Sequence, residues 1–279
     1  MHKNILFLGG GNMSRAIVAG LIQDGYPAES ITVIDRNPEK CALFRDTYGI
    51  HAFDDLDAGL TRADVLVLAI KPQDAAAACS LLRAHCAQHA PLVISVMAGI
   101  TVATLGHWLG HHTAIVRAMP NTPAAIQAGA TGLFANTATP LEHKNIAESI
   151  LRATGVITWV DAETDLAAIT ALSGSGPAYY FYFMEIMAEI AVRMGLSQET
   201  AHLFAAQTAY GAAKLALASP EDFVTLRNQV TSKGGSTAAA IGSMQKNDLE
   251  NLLAEAMLAC QRRALELANP NQTNGQVSS

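Results

Sequence analysis

The chain has 279 residues, half of them hydrophobic, and a formal net charge of -6. That length and apolar content provide for one large domain or two modest ones with a sizeable core. The acidic balance, without any polybasic run, argues against nucleic acid or an anionic membrane surface as a partner.

In chain order, the first predicted element is a strand at residues 4–8, followed by Gly9-Gly10-Gly11-Asn12-Met13-Ser14 and a helical pattern over 13–24. A strand that runs into Gly-x-Gly-x-x-small and opens a helix is a dinucleotide fingerprint. Gly9 permits the tight turn, Gly11 admits a pyrophosphate close to the backbone, and the helix start offers free N–H groups and the positive end of a dipole. Ser14 stands where Gly or Ala is usual and is small enough for helix–strand packing. Asp35 closes a second strand, 31–34, about 20 residues on, where the adenosine ribose of a dinucleotide is expected. Asp35 itself suits a ribose 2′-OH, which favours NAD(H), whereas its neighbours Arg36 and Asn37 suit a 2′-phosphate, which favours NADP(H).

Further strands are predicted at 65–70, 92–95 and 114–117, alternating with helices at 38–48, 73–85 and 102–109. A last strand pair, 130–135 and 156–159, flanks a helix at 140–154. Apolar strands alternating with helices predict a doubly wound parallel sheet. Ligands in such sheets bind beyond the carboxyl ends of the strands. That places Ala69-Ile70-Lys71-Pro72, Ala98-Gly99 and Asn121 among the cofactor contacts. Ala98 and Gly99 are small enough to let a flat ring approach. Asn121 either hydrogen-bonds a carboxamide or holds its proline-flanked loop.

Beyond residue 161 the strand signals vanish, and helices are predicted at 164–172, 178–194, 198–217, 220–229, 236–245 and 249–268. Residues 178–194 and 201–215 are apolar nearly all round, so they must be covered on every face. The centre of a compact bundle would cover them, and so would a second copy of the chain; a homodimer is predicted. The organisation expected is therefore a dinucleotide-binding domain at 1–161, a helical substrate-binding and dimerisation domain at 162–269, and a disordered tail at 270–279. The longest uncharged stretch, 166–184, is broken by Ser173-Gly174-Ser175-Gly176-Pro177 and reads as protein core rather than a membrane span. A strand so near the N-terminus leaves no room for a signal peptide. Cys41, Cys79, Cys86 and Cys260 read as free thiols of a cytoplasmic protein. No metal site is expected, and His111-His112 reads as a loop pair.

Near the end, Ser232-Lys233-Gly234-Gly235-Ser236-Thr237 joins two helices and exposes N–H groups beside hydroxyls. This is either a carboxylate site or a plain helix–turn–helix link with Ser236 as N-cap.

Taken together, these segments resemble pyrroline-5-carboxylate reductases over nearly the whole chain. The matching residues are 9–14, 69–72, Ala98-Gly99, 119–123, 172–179 and 229–237. The resemblance implies an N-terminal Rossmann-type sheet followed by an all-α dimerisation domain. It implies hydride transfer from NAD(P)H to the C=N bond of 1-pyrroline-5-carboxylate, giving L-proline in proline biosynthesis, with NADP(H) the preferred cofactor and NAD(H) the alternative. It implies that Ser232, Gly234, Gly235, Ser236 and Thr237 bind the substrate, with Thr237 hydrogen-bonded to the imine nitrogen, and that dimers can stack into larger rings. Lys233 replaces the proline usual in this family and Ser236 the first threonine, which costs the turn some rigidity and adds a charge. Two other readings compete. A β-hydroxyacid dehydrogenase would need a lysine where Tyr180 stands, and a non-catalytic NAD(P)-sensing dimer would need no organised site at 232–237.

Overall fold

A computed structural model describes residues 2–60, 63–110 and 114–268. The histidine pair at 111–112 and the tail at 270–279 lie outside them. In chain order the elements are β1 (Ile5–Leu8), α1 (Asn12–Gln23), β2 (Ile31–Ile34), α2 (Pro38–Tyr48), β3 (His51–Phe53), α3 (Leu56–Gly59), β4 (Val65–Leu68), α4 (Ala75–His89), β5 (Leu92–Ser95), α5 (Val102–Leu109), β6 (Ile115–Met119), β7 (Gly129–Ala135), α6 (Leu141–Arg152) and β8 (Gly155–Trp159). Helices α7 (Asp165–Ile169), α8 (Gly176–Arg193), α9 (Gln198–Ala218), α10 (Phe223–Gln229), α11 (Ser236–Lys246) and α12 (Leu249–Ala268) follow, with a π-helical turn over Thr170–Gly174. Two compact units result. One comprises the described residues of Met1–Gly174 and Cys260–Ser279, the other Ser175–Ala259. This division falls after the π turn rather than at residue 161.

The first unit is built on an eight-stranded sheet in the order β3-β2-β1-β4-β5-β6-β7-β8. The strand order reverses between β1 and β4, and both run parallel to their neighbours. Alternate residues of each strand feed opposite faces. Ile5, Phe7, Val65 and Val67 pack with Ile17, Leu21 and Phe44 from α1 and α2. Leu6, Leu66 and Leu68 pack with Cys79, Leu82 and Leu105 from α4 and α5. A sheet covered on both faces explains why these strands read as unbroken apolar runs.

Local signals set the helix ends. Asn37 caps α2 by accepting from Glu39 N–H at 2.8 Å, Pro38 occupies the first turn, and Gly49 closes the helix in the left-handed conformation. Differences from expectation have physical causes. Strand β3 and helix α3 carry no apolar run, and β3 forms because it pairs with β2. Strand β7 runs antiparallel to β6, since residues 120–128 between them hold only a 3-10 turn, too short for a parallel crossover.

In the second unit α8 packs on α9 around Ala188, Ala201 and Ala205. Tyr180, Phe181, Tyr182, Leu203, Phe204 and Tyr210 are each more than half exposed. The near-uniform apolarity of both helices therefore exceeds what their mutual packing covers. Among the described residues no helix is long and apolar enough to cross a membrane, and Cys41, Cys79 and Cys86 are free thiols buried in the first unit.

Candidate active site

The carboxyl ends of β1 and β4, where the strand order reverses, frame the first part of the site. Gly9 follows β1 with φ +103°, and a Cβ there would stand 2.5 Å from the Ala69 carbonyl oxygen at the end of β4. Only glycine allows this crossing. The turn is pinned from several sides. Gly9 N–H donates to Ile34 carbonyl at 2.7 Å, and Ser14 Oγ donates to the Gly9 carbonyl at 2.5 Å. Ser14, fully buried, is thus a fastener for the loop as well as a small packing residue.

Gly11 is the N-cap of α1 and brings no side chain to it. The N–H groups of Asn12, Met13 and Ser14 therefore have no intrahelical acceptor. A Cβ on Gly11 would meet nothing nearer than Ala69 oxygen at 4.0 Å. The space beside this helix start is open, as a pyrophosphate requires, and the residues present fit a dinucleotide.

Asp35 lies beside this loop with its side chain largely covered. Its Oδ2 accepts from Gly10 N–H at 2.7 Å and from Lys40 Nζ at 3.1 Å, and Oδ1 accepts from Asn37 N–H at 2.9 Å. Burial pushes the carboxyl pKa up. The N–H groups of Asn37 and Gly10 and the Lys40 ammonium outweigh that effect and hold it below its ordinary 3.8. Asp35 is thereby a brace for the glycine turn, an arrangement not evident from its spacing. Arg36, almost fully exposed, pairs with Asp74 at 3.1 Å, and Asn37 spends its Oδ1 on the helix cap.

Ala69 and Ile70 lie just past the end of β4 and are half-buried; Lys71 and Pro72 are exposed. Lys71 carbonyl accepts from Asp74 N–H at 3.0 Å. Ala98 is exposed after β5. Gly99 departs from expectation: a Cβ there would stand 3.0 Å from the carbonyl oxygen of Leu267, so the last turn of α12 fills the space expected for a ring. Asn121 takes the second of its two expected roles. Its Nδ2 donates to Ser173 carbonyl at 3.0 Å and its Oδ1 accepts from Ala130 N–H at 2.9 Å. With 8% of its surface exposed, it clamps the end of β6 to β7 and the π turn, and a carboxamide contact gives way to that structural role.

Two groupings were not anticipated. Arg117 of β6 forms a covered ion pair with Glu163 at 2.8 Å, and the same carboxylate oxygen accepts from Val102 N–H at 2.9 Å, tying β6 to the start of α5. His85 and His89, four apart on α4, bring their rings to 4.6 Å. Burial and the neighbouring His89 hold the His85 imidazole below its ordinary 6.5.

The second unit carries residues 232–237. Gly234 has φ +73° and forms the turn. Gly235, not Ser236, is the N-cap of α11, again without a side-chain cap. Gly235 N–H donates to Ser232 carbonyl at 3.0 Å. Ser236 and Thr237 are the first two helical residues, both exposed, as are Ser232, Lys233 and Gly234. The start of α11 thus presents free N–H groups beside two hydroxyls, suited to a carboxylate.

The chain has relatives among known proteins over nearly its whole length. Residues 4–99 match the NADP oxidoreductase coenzyme F420-dependent family, and residues 163–267 match the pyrroline-5-carboxylate reductase dimerisation domain. A pyrroline-5-carboxylate reductase of Pasteurella multocida is 42% identical, across 95% of this chain and 98% of the relative. The crystal structure of a Coxiella burnetii pyrroline-5-carboxylate reductase superposes with a TM-score of 0.92 at 45% identity, covering 96% of this chain and 99% of the other. A Plasmodium falciparum pyrroline carboxylate reductase with NADP bound shares the fold, with a TM-score of 0.84 at 24% identity over 96% of this chain and 99% of that one. The chain accordingly belongs to the pyrroline-5-carboxylate reductase family of oxidoreductases.

Proposed function

We propose that residues 9–14 hold NADPH by its pyrophosphate and that residues 232–237 hold 1-pyrroline-5-carboxylate for reduction to L-proline. The observation that carries this reading is a pair of helices, α1 and α11, that each start on a glycine N-cap with no side chain supplied to it. Each leaves backbone N–H groups for an anion, a diphosphate in one case and a carboxylate in the other. When bound, the reduced nicotinamide supplies the hydride, so no protein nucleophile is needed. The chain's residues bind, orient and polarise. The N–H groups of Ser236 and Thr237 receive the carboxylate, with Ser232, Gly234 and Gly235 shaping the turn. The Thr237 hydroxyl hydrogen-bonds the imine nitrogen as the C=N bond gains electron density. A threonine hydroxyl barely ionises near neutral pH, so Thr237 positions and polarises, and the proton that the imine nitrogen takes up comes from solvent water.

NADPH rather than NADH is favoured by the cations Arg36 and Lys40 around a carboxylate that the chain's own donors already occupy. A homodimer is the working unit, formed through the uncovered apolar faces of α8 and α9, and stacking of dimers into a larger ring is part of the same proposal. The cytoplasm is the proposed compartment, in keeping with the free thiols of Cys41, Cys79 and Cys86.

The test is an assay of NADPH consumption and proline formation with 1-pyrroline-5-carboxylate. Thr237→Ala is expected to lower kcat roughly a hundredfold, the scale of losing one donor to developing charge, with the KM for NADPH unchanged. Full turnover with unchanged substrate affinity overturns the assignment of Thr237. A strong preference for NADH overturns that of the cofactor.

A further inference from the structure

An acid at the end of the second strand usually decides between dinucleotides. A free carboxylate accepts from a ribose 2′-OH and repels a 2′-phosphate. Here the carboxylate is already engaged. Gly10 N–H and Asn37 N–H reach Asp35 at 2.7 and 2.9 Å, and both are backbone groups placed by the fold. The third donor differs in kind. Lys40 Nζ, at 3.1 Å, rides on a flexible stem from the first turns of α2, with 45% of its side chain exposed.

We infer that Lys40 is a specificity-determining residue for the cofactor: it neutralises Asp35 in the free protein and turns to the 2′-phosphate when NADPH binds. The inference rests on the reading that residues 9–14 hold the cofactor. Leaving Asp35 costs little, because a partly exposed ammonium–carboxylate pair contributes little. After Lys40 turns, Asp35 keeps both backbone donors, and those stabilise its charge. A dianionic phosphate offers the ammonium a stronger charge-assisted contact than the carboxylate it leaves. With NADH there is nothing to draw Lys40 away, and it stays on Asp35. Among the described residues Lys40 is the cation that pairs with Asp35, so the exchange is its own. Glu39 is exposed with its N–H held by Asn37, and Arg36, paired with Asp74 at the N-cap of α4, adds positive charge near the phosphate without holding Asp35.

Calorimetric titration with 2′,5′-ADP and with ADP tests the inference without turnover. Lys40→Ala is expected to weaken 2′,5′-ADP about tenfold or more, the scale of one charge-assisted hydrogen bond, and to leave ADP unchanged. Lys40→Arg should restore most of the difference. Equal weakening of both nucleotides would show that Lys40 merely steadies the glycine turn through Asp35, and an unchanged 2′,5′-ADP affinity would show that it never reaches the phosphate. Either result overturns the inference. A Gly11→Val variant separates the underlying reading: it should lose both nucleotides, and retention of ADP binding there means that the loop does not hold the pyrophosphate.

Discussion

Helices α1 and α11 begin almost identically. Each has a glycine N-cap in extended backbone, Gly11 at φ -78°, ψ -177° and Gly235 at φ -78°, ψ 172°, and neither cap supplies a side chain. What surrounds them differs. The first turn is crossed by β4, fastened by Ser14 and braced by Asp35. The second is tied chiefly by Gly235 N–H to Ser232 carbonyl, and most of it is exposed. The same helix start is thus rigid where it is embedded in a sheet and adaptable where it stands on a surface turn. A preformed turn suits a diphosphate whose shape is the same in every nicotinamide dinucleotide; an open turn can adjust around a small substrate.

The comparison predicts unequal tolerance of the same change. Gly9→Ala sets a Cβ against the Ala69 carbonyl at an unfavourable φ and should cost roughly 3 kcal/mol or more, with loss of nucleotide binding. Thermal denaturation and fluorescence titration measure both. Asn121→Ala leaves the Ser173 carbonyl and Ala130 N–H without their partner and should cost about 2 kcal/mol while the KM for NADPH holds steady. A selective rise in that KM would restore a cofactor role to Asn121. Gly234→Ala meets no atom within 4 Å and is strained only by its φ of +73°. About 1 kcal/mol is expected, and a loss as large as that of Gly9→Ala would erase the contrast between the turns.

The smallest effect concerns pH. The Asp35 pKa is lowered on folding from its ordinary 3.8, so its contribution is complete above that value. It is lost as the pH falls through the lower folded value. The stability difference between wild type and Asp35→Asn should therefore be flat near neutral pH and shrink only below about pH 4. Shrinkage already near pH 6 would mean that Asp35 is not braced by its donors.

Strands β2 and β5 and helices α2, α5 and α12 were legible to the residue, because local signals coincide there: apolar runs, an Asn-Pro cap, glycine stops. Strand β3 was not legible, since a His-Ala-Phe triplet has no pattern and acquires its structure from β2. At the site, the fingerprint could be read from spacing alone. Roles that depend on distant partners could not. Asn121 meets a carbonyl 52 positions away, and Gly99 is filled by Leu267 from the end of the chain's last helix. The Asp35–Lys40 pair is five positions apart, and a cation in the first turns of α2 facing the acid that ends β2 was the signal available for it.

The bare faces of α8 and α9, with Tyr180, Phe181, Leu203 and Phe204 turned outward, have a consequence in mass action. A fold completed by a second copy has no stability of its own to quote. Its population rises with the total amount of protein and falls on dilution, as ligand linkage dictates when the ligand is the chain itself. The glycine turn at β1 draws its support from within one sheet, whereas the helical unit holds its apolar faces out of water only in company.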